Sequence, residues 1–217
     1  SSLSLILSGM MKQTKTIVSF QNDPTNELGK RIFKFIKTHT NKLIFKNKSK
    51  LIMGASSFYL PNGVNLDFFK PIDKIKARKH LKLDKTTIYV LFVSSNTIRS
   101  QKRYDKFKKV LQILKDKFQY KNIKEIKLIN TKREQVPYYF NAADIHLLTS
   151  DFEGSPNSVK ESLACNTPVV STNVGNVEEL LKNAKNSFVS EENTATELAS
   201  LINKSLKGSK KQNEREQ

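Results

Sequence analysis

The feature that most constrains this chain is an alternation that begins near residue 86 and runs to about residue 206. "TTIYVLFVSS" (86–95) is a β-branched and aromatic run, the pattern of a parallel strand buried on both faces. "KRYDKFKKVLQILKDKF" (102–118) follows. Its Tyr104, Phe107, Leu111, Leu114 and Phe118 recur at three- and four-residue steps and mark one helix face, while its lysines read as the solvated face. Then come strand "IKEIKLIN" (123–130), short helix "QVPYYFNAA" (135–143) with Pro137 in its first turn, and strand "DIHLLTS" (144–150). Helix "SPNSVKESLA" (155–164), strand "TPVVST" (167–172), helix "VEELLKN" (177–183), strand "NSFVS" (186–190) and helix "TATELASLINKSL" (194–206) complete the series. Strands and helices taking turns predict an α/β domain, a Rossmann-like parallel sheet with helices on both faces. Ligands of such sheets sit beyond the carboxyl ends of the strands. The loops that matter are then 94–102, 130–135, 150–156 and 172–177.

The front of the chain is less regular. "KTIVSF" (15–20) and "KLIF" (42–45) read as strands. "TNELGKRIFKFIKTH" (25–39) reads as a basic amphipathic helix with Leu28, Ile32, Phe35 and Ile36 on one side. A turn-like "PNG" (61–63) follows. Residues 1–58 are expected to be a partial N-terminal domain and 59–206 a complete ligand-binding one. The polar "KGSKKQNEREQ" (207–217) is expected to be disordered. The chain opens Ser-Ser, as a fragment or a processed product would, and "SSLSLILSGMM" lacks the basic segment of a signal peptide. No apolar run nears the roughly 18 residues of a membrane span.

The 217 residues carry 38 Lys+Arg against 20 Asp+Glu, a formal charge of +18. Such a surface attracts nucleic acid, anionic lipid or polyphosphate ligands. The lysines are spread along nearly the whole length, so the charge also reads as compositional bias without a dedicated patch. One cysteine, Cys165, excludes an internal disulfide and an all-cysteine metal cage. His39, His80 and His146 lie far apart without ligand spacing, and no metal is expected. His146 reads as a packed strand residue.

The richest chemistry lies in the strand-end loops. After "DIHLLTS" comes "DFEGSPN", in which Ser155 suits an N-cap and Pro156 the first helical position. A helix start offers N–H groups and partial positive charge to an anion. Gly154 lets backbone approach a ligand closely. Asn157 and Glu161 are four apart and share a helix face, with Ser158 beside them; Val159 and Leu163 point the other way. A carboxylate on that polar face is suited to accept hydrogen bonds from two neighbouring sugar hydroxyls. The bland alternative is an ordinary capped helix with a glutamate at each end of the stretch. The loop "SSNTIRSQKR" (94–103) brings Arg99, Lys102 and Arg103, cations suited to a diphosphate. No G-x-x-x-x-G-K, G-x-G-x-x-G or G-x-S-x-G occurs.

"LPNGVNLDFFKP" (60–71), "YVLFVSSNTIRSQKRYD" (89–105) and "VPYYFNAADIHLLTSDFEGSPNSVKESLACNTPVVSTNVGNVEELL" (136–181) resemble, in order and spacing, glycosyltransferase family 4, closest to bacterial members that build surface polysaccharides. The core of the resemblance is E-x7-E, here Glu153 and Glu161. It implies a GT-B architecture, with this chain supplying the C-terminal donor-binding half and part of an N-terminal acceptor domain. It also implies transfer without a metal or other cofactor and with retention at the donor's anomeric carbon. By resemblance, Glu161 would bind the donor ribose and Glu153 would face the transferred hexose. Gly154, Ser155, Pro156, Asn157 and Ser158 would contact sugar and diphosphate. Lys102 would neutralise the diphosphate; the arginine usual a few residues earlier is Ser95 here, and Arg99 would stand in for it. The nucleobase would lie near Asn130 and Arg133.

The resulting expectation is a hexosyltransferase that takes a UDP- or GDP-sugar and a glycan or lipid-linked acceptor. It would be cytoplasmic, with peripheral contact between the 25–39 helix and an anionic membrane, and would bind no nucleic acid. The short front implies a truncated enzyme. The alternative is a donor-binding module without turnover.

Overall fold

The computed structural model describes residues 17–20, 27–46, 56–95 and 100–213. Arg99 and the opening "SSLSLILSGMM" lie outside the described residues. The chain divides into two compact units, one of residues up to 62 together with 153–155, the other of 63–152 and 156 onward.

In the first unit, β1 (Ile17–Phe20), β2 (Lys42–Phe45) and β3 (Ser57–Tyr59) form a parallel sheet in that order, with helix α1 (Glu27–His39) between β1 and β2 in sequence. The register sets Val18 beside Leu43 and Phe20 beside Phe45, so one face is apolar. Helix α1 packs Ile32, Phe33 and Ile36 onto it. Phe33 meets Phe20 edge-on with ring centroids 4.8 Å apart. Of the stripe expected from spacing, Ile32 and Ile36 face the sheet, and Phe33 joins them in place of Leu28 and Phe35. Leu28 is 68% exposed and Phe35 38%, because the aromatic contact with Phe20 turns the helix toward its 32–33–36 side. Strand β3 has no counterpart in the sequence reading.

The second unit opens with a turn in which the Asn65 side chain accepts the N–H groups of Asp67 (3.0 Å) and Phe68 (3.1 Å). That turn delivers Phe69 into the core, 1% exposed. Helix α2 (Lys74–His80) follows, with Asp73 as N-cap accepting from the Lys76 N–H at 2.8 Å. Periodicity misses it because two turns hold too few apolar residues to show a repeat. Its Arg78 is buried, with each of its three side-chain nitrogens bonded. The guanidinium donates to the carbonyls of Ala142 (3.0 Å) and Lys85 (2.6 Å) and pairs with Asp144 at 2.6 Å. Asp144 also accepts the Tyr89 N–H at 2.7 Å, joining α2 to the sheet.

The sheet comprises β4 (Ile88–Val93), β5 (Ile123–Leu128), β6 (Ile145–Leu148), β7 (Val169–Thr172) and β8 (Phe188–Ser190), all parallel, in the order β5-β4-β6-β7-β8. The helices between them are α3 (Tyr104–Asp116), α4 (Val136–Ala142), α5 (Asn157–Ala164) and α6 (Val177–Leu181), and α7 (Ala195–Asn213) follows β8. Strand β4 is apolar on both sides because helices cover both. Val90 and Phe92 pack with Phe107 and Leu114 of α3 and Leu198 and Ile202 of α7. Tyr89 and Leu91 pack with Phe69, Phe140 and Cys165 on the other face. Leu148, Val159, Val169 and Val177 form a further cluster.

Two expectations are corrected. Helix α7 continues to Asn213, so most of the polar stretch after 206 is helical where disorder is expected. Helix α5 starts one residue later than read: Pro156 is extended (φ −68°, ψ 114°) and stands as the cap, and no side chain caps the helix. Proline fixes φ and leaves ψ open, so it serves equally as the residue before the first turn.

Candidate functional site

The strand order reverses between β4 and β6. From β4 the chain passes outward to β5, then returns across β4 to β6 and continues the other way. At such a switch point the loops leaving the two strands part, and a crevice opens beyond their carboxyl ends. Those loops are 94–103 and 149–156, the two with the most suggestive chemistry in the sequence.

They are tied together. The β4 loop ends in a single 3-10 turn, Ser100–Lys102. Thr149, 1% exposed at the end of β6, donates its hydroxyl to the Lys102 carbonyl at 2.8 Å, with the Arg103 carbonyl at 3.1 Å. The Asp151 N–H donates to the Gln101 carbonyl at 2.9 Å. Arg103 has a left-handed backbone (φ 47°) that turns the chain into α3. Its guanidinium bridges Asp105 (2.8 Å) and Asp151 (3.1 Å), which hold its pKa well above the usual arginine value. Arg103 is thus a brace of the loop. Lys102 is half-buried, and its charge acts on the His146 ring of β6. His146 is fully buried, neither ring nitrogen has a partner, and burial first, then Lys102, pushes its pKa down to about 3. It is a neutral strand residue, as its position in β6 suggests.

Helix α5 starts at the mouth of the β6 loop. Val159 is buried and Leu163 packs with the same cluster, so Asn157, Ser158 and Glu161 lie off the core face as expected. Asn157 is exposed, Ser158 is 8% exposed, and Glu161 is intermediate. Burial raises the Glu161 pKa above its ordinary value, and the charges of Arg133 and Lys160 work against that rise. A partly desolvated carboxylate facing an arginine is an acceptor in need of donors. Arg133 stands in the β5–α4 loop with its guanidinium over the rings of Phe68 (5.1 Å) and Phe69 (5.7 Å). Asn130 is exposed in the same loop, with φ 47°. Cys165, near Glu161, is buried and pushed up to about 12, so it is a packed thiol.

Of the expected site residues, the structure brings Glu161 and Arg133 within electrostatic reach and sets Lys102 against the 149–151 loop. Glu153, Gly154 and Ser155 group with the first unit. Ser155 Oγ is buried without a hydrogen-bond partner, so it is not the cap it is expected to be. Sequence reasoning missed Phe68 and Phe69 as the shelf for Arg133, and Thr149 as the anchor of the Lys102 turn. The aromatic pair in "LDFFKP" was the available signal for the first. Among the described residues no group of three or more His, Cys, Asp or Glu could hold a metal ion, and no helix is long and apolar enough to cross a membrane.

Residues 118–217 match the family model for glycosyl transferases group 1. The region includes β5 through α7 and the whole Glu153–Glu161 stretch. No curated protein matches the chain significantly in sequence. Solved structures agree on the fold. A sucrose-phosphate synthase from Thermosynechococcus elongatus superposes with a TM-score of 0.74 at 16% identity, covering 95% of this chain and 63% of that one. HepE from Anabaena, in complex with UDP and glucose, gives 0.74 at 15% identity, covering 97% and 68%. The C-terminal domain of a group 1 glycosyl transferase, LpcC, from Francisella tularensis gives 0.56 at 19%, covering 68% and 90%. The architecture is that of GT-B glycosyltransferases, with the five-stranded unit as the Rossmann-like C-terminal half. The chain spans about 63% of the sucrose-phosphate synthase it resembles.

Proposed function

We propose that this chain binds a UDP- or GDP-sugar at the β4/β6 crevice and serves transfer of its hexose, with retention, to a glycan or lipid-linked acceptor. The observation that carries the reading is the Glu161 carboxylate, half-desolvated on α5 and opposed by Arg133, at the strand-order reversal where the Lys102 turn is anchored. Glu161 would accept the two ribose hydroxyls, whose donors meet the need its burial creates. Arg133 on its phenylalanine shelf and Asn130 would flank the nucleobase. Lys102, the start of α5 at Pro156, Asn157 and Ser158, and the Ser155 hydroxyl would take the diphosphate, and Gly154 would admit it close to backbone. Glu153 would orient the hexose. Departure of the diphosphate would be assisted by the positive charges of Lys102 and Arg99 and by the helix start. The relatives support this in kind: HepE structures hold UDP and UDP-glucose. The exposed side of α1, with Leu28 and Phe35 beside Lys30, Arg31 and Lys34, would suit peripheral contact with an anionic membrane.

Isothermal titration of UDP and GDP tests the donor site, and radiolabelled sugar release tests turnover. Binding with neither transfer nor donor hydrolysis would make the chain a donor-binding module.

A further inference from the structure

The β6 loop holds more than the glutamate stretch. Thr149, Asp151 and Arg103 form a closed set of contacts around the turn that carries Lys102. The Thr149 hydroxyl donates to the Lys102 carbonyl at 2.8 Å, and the Asp151 N–H donates to the Gln101 carbonyl at 2.9 Å. The Arg103 guanidinium returns to the Asp151 carboxylate at 3.1 Å and is shared with Asp105 at 2.8 Å. Lys106 adds a weaker approach to Asp151 at 3.7 Å. Residues 47 positions apart in sequence are thereby fixed across the strand-order reversal. Thr149 is buried, so its hydroxyl has no solvent alternative, and losing it would leave the Lys102 carbonyl without this donor. The Arg103 backbone is left-handed where the chain turns from the 3-10 turn into α3, and its side-chain bridges to Asp105 and Asp151 brace that turn.

We infer that Thr149, Asp151 and Arg103 are positioning residues that hold the Lys102 ammonium at the place of the donor's diphosphate. This rests on the nucleotide-sugar reading of the crevice. The set acts on the phosphate end alone, because Glu161 and Arg133 stand on α5 and on the β5–α4 loop, outside the clamp. A lysine on a loosened loop samples many positions, and the fixed geometry that makes a cation effective toward a diphosphate is lost.

The test compares UDP with uridine, which shares the base and ribose and lacks the phosphates. Titration calorimetry on the full chain reads both. Thr149→Val keeps the shape and removes the hydroxyl. It should weaken UDP about tenfold and leave uridine within about twofold, and Thr149→Ser should restore UDP affinity. A general structural role would weaken both ligands together, and that result overturns the inference. So does a Thr149→Val protein that binds UDP as the wild type does. Asp151→Asn, at an exposed position, gives the same comparison if the valine variant does not fold. It should cost UDP several-fold and spare uridine; equal losses overturn the inference. A folded wild type that binds neither ligand rejects the donor-site reading itself, and the clamp's role with it.

Discussion

Burying His146 with no partner should make this protein acid-sensitive in a way that one substitution removes. The ring is 0% exposed on the central strand β6, with Leu91 and Val169 as register neighbours and Phe140 edge-on at 5.8 Å. Its folded pKa lies near 3 against an ordinary 6.5. The unfolded chain therefore binds the extra proton between those values, and stability falls as pH drops below 6.5 until the folded value is reached. Between pH 7 and pH 5 the loss depends only on the unfolded pKa, so long as the folded one stays well below 5. It comes to about 2 kcal/mol, from 1.36 kcal/mol per pKa unit. That is a sizeable part of the roughly 5–15 kcal/mol that holds a domain together. His146→Leu has similar volume, cannot titrate, and removes two unpartnered ring nitrogens. Urea unfolding of both proteins at pH 7 and pH 5, followed by far-UV circular dichroism, measures the difference. The leucine variant should lose about 2 kcal/mol less than the wild type over that interval, and at pH 7 it should be at least as stable. Carboxylates shared by the two proteins cancel in the comparison. Equal pH dependence in both would refute the reasoning, because it would mean that His146 reaches solvent or a partner when folded.

Three further outcomes are expected. Arg78→Met leaves the carbonyls of Ala142 and Lys85 without their donor, while Asp144 keeps Lys74 (2.9 Å) and the Tyr89 N–H (2.7 Å), and should destabilise by about 1–3 kcal/mol in urea unfolding, the cost of buried acceptors left unpaired. Glu197→Ala should lower the melting temperature although Glu197 lies near the surface. Its carboxylate accepts the Ser190 hydroxyl and the N–H groups of Glu191 (2.8 Å) and Glu192 (2.9 Å), and an ordinary surface glutamate would change nothing. The pKa of Glu161 is raised, so the folded protein holds that proton more tightly than the unfolded one, and stability falls as pH rises through the folded value. Glu161→Gln should therefore melt higher than the wild type at pH 7; a variant that melts lower would contradict the burial argument.

Much of the fold was legible because long elements carry their own periodicity. Strand β4 reads as buried on both faces from its composition, and α3 from its apolar steps, and both stand within two residues of their expected ends. Short elements were not legible: β3 has three residues and α2 seven, too few to display a period. On α1 the spacing placed Ile32 and Ile36 rightly but put Leu28 and Phe35 on the same side, and the aromatic contact of Phe33 with Phe20, which only the folded sheet supplies, takes their place. The site shows the same division. Glu161 and the helix that carries it were readable from one local stretch. The order β5-β4-β6, which makes the crevice, is not written in any single segment. Nor is the bond from Thr149 to the Lys102 turn, because it joins residues 47 apart through backbone carbonyls that any sequence would offer. Ser155 shows the limit of capping rules: the residue type was right for a cap, and Pro156 took the place.

Titration of UDP into the wild type, Glu161→Ala and an exposed α3 control, Lys109→Ala, tests the central claim most directly. A nucleotide-sugar site built on α5 predicts saturable UDP binding by the wild type, a loss of about tenfold or more in Glu161→Ala, and a change within about twofold in the control. A folded wild type that shows no binding at millimolar UDP, or equal losses in the two variants, would contradict it.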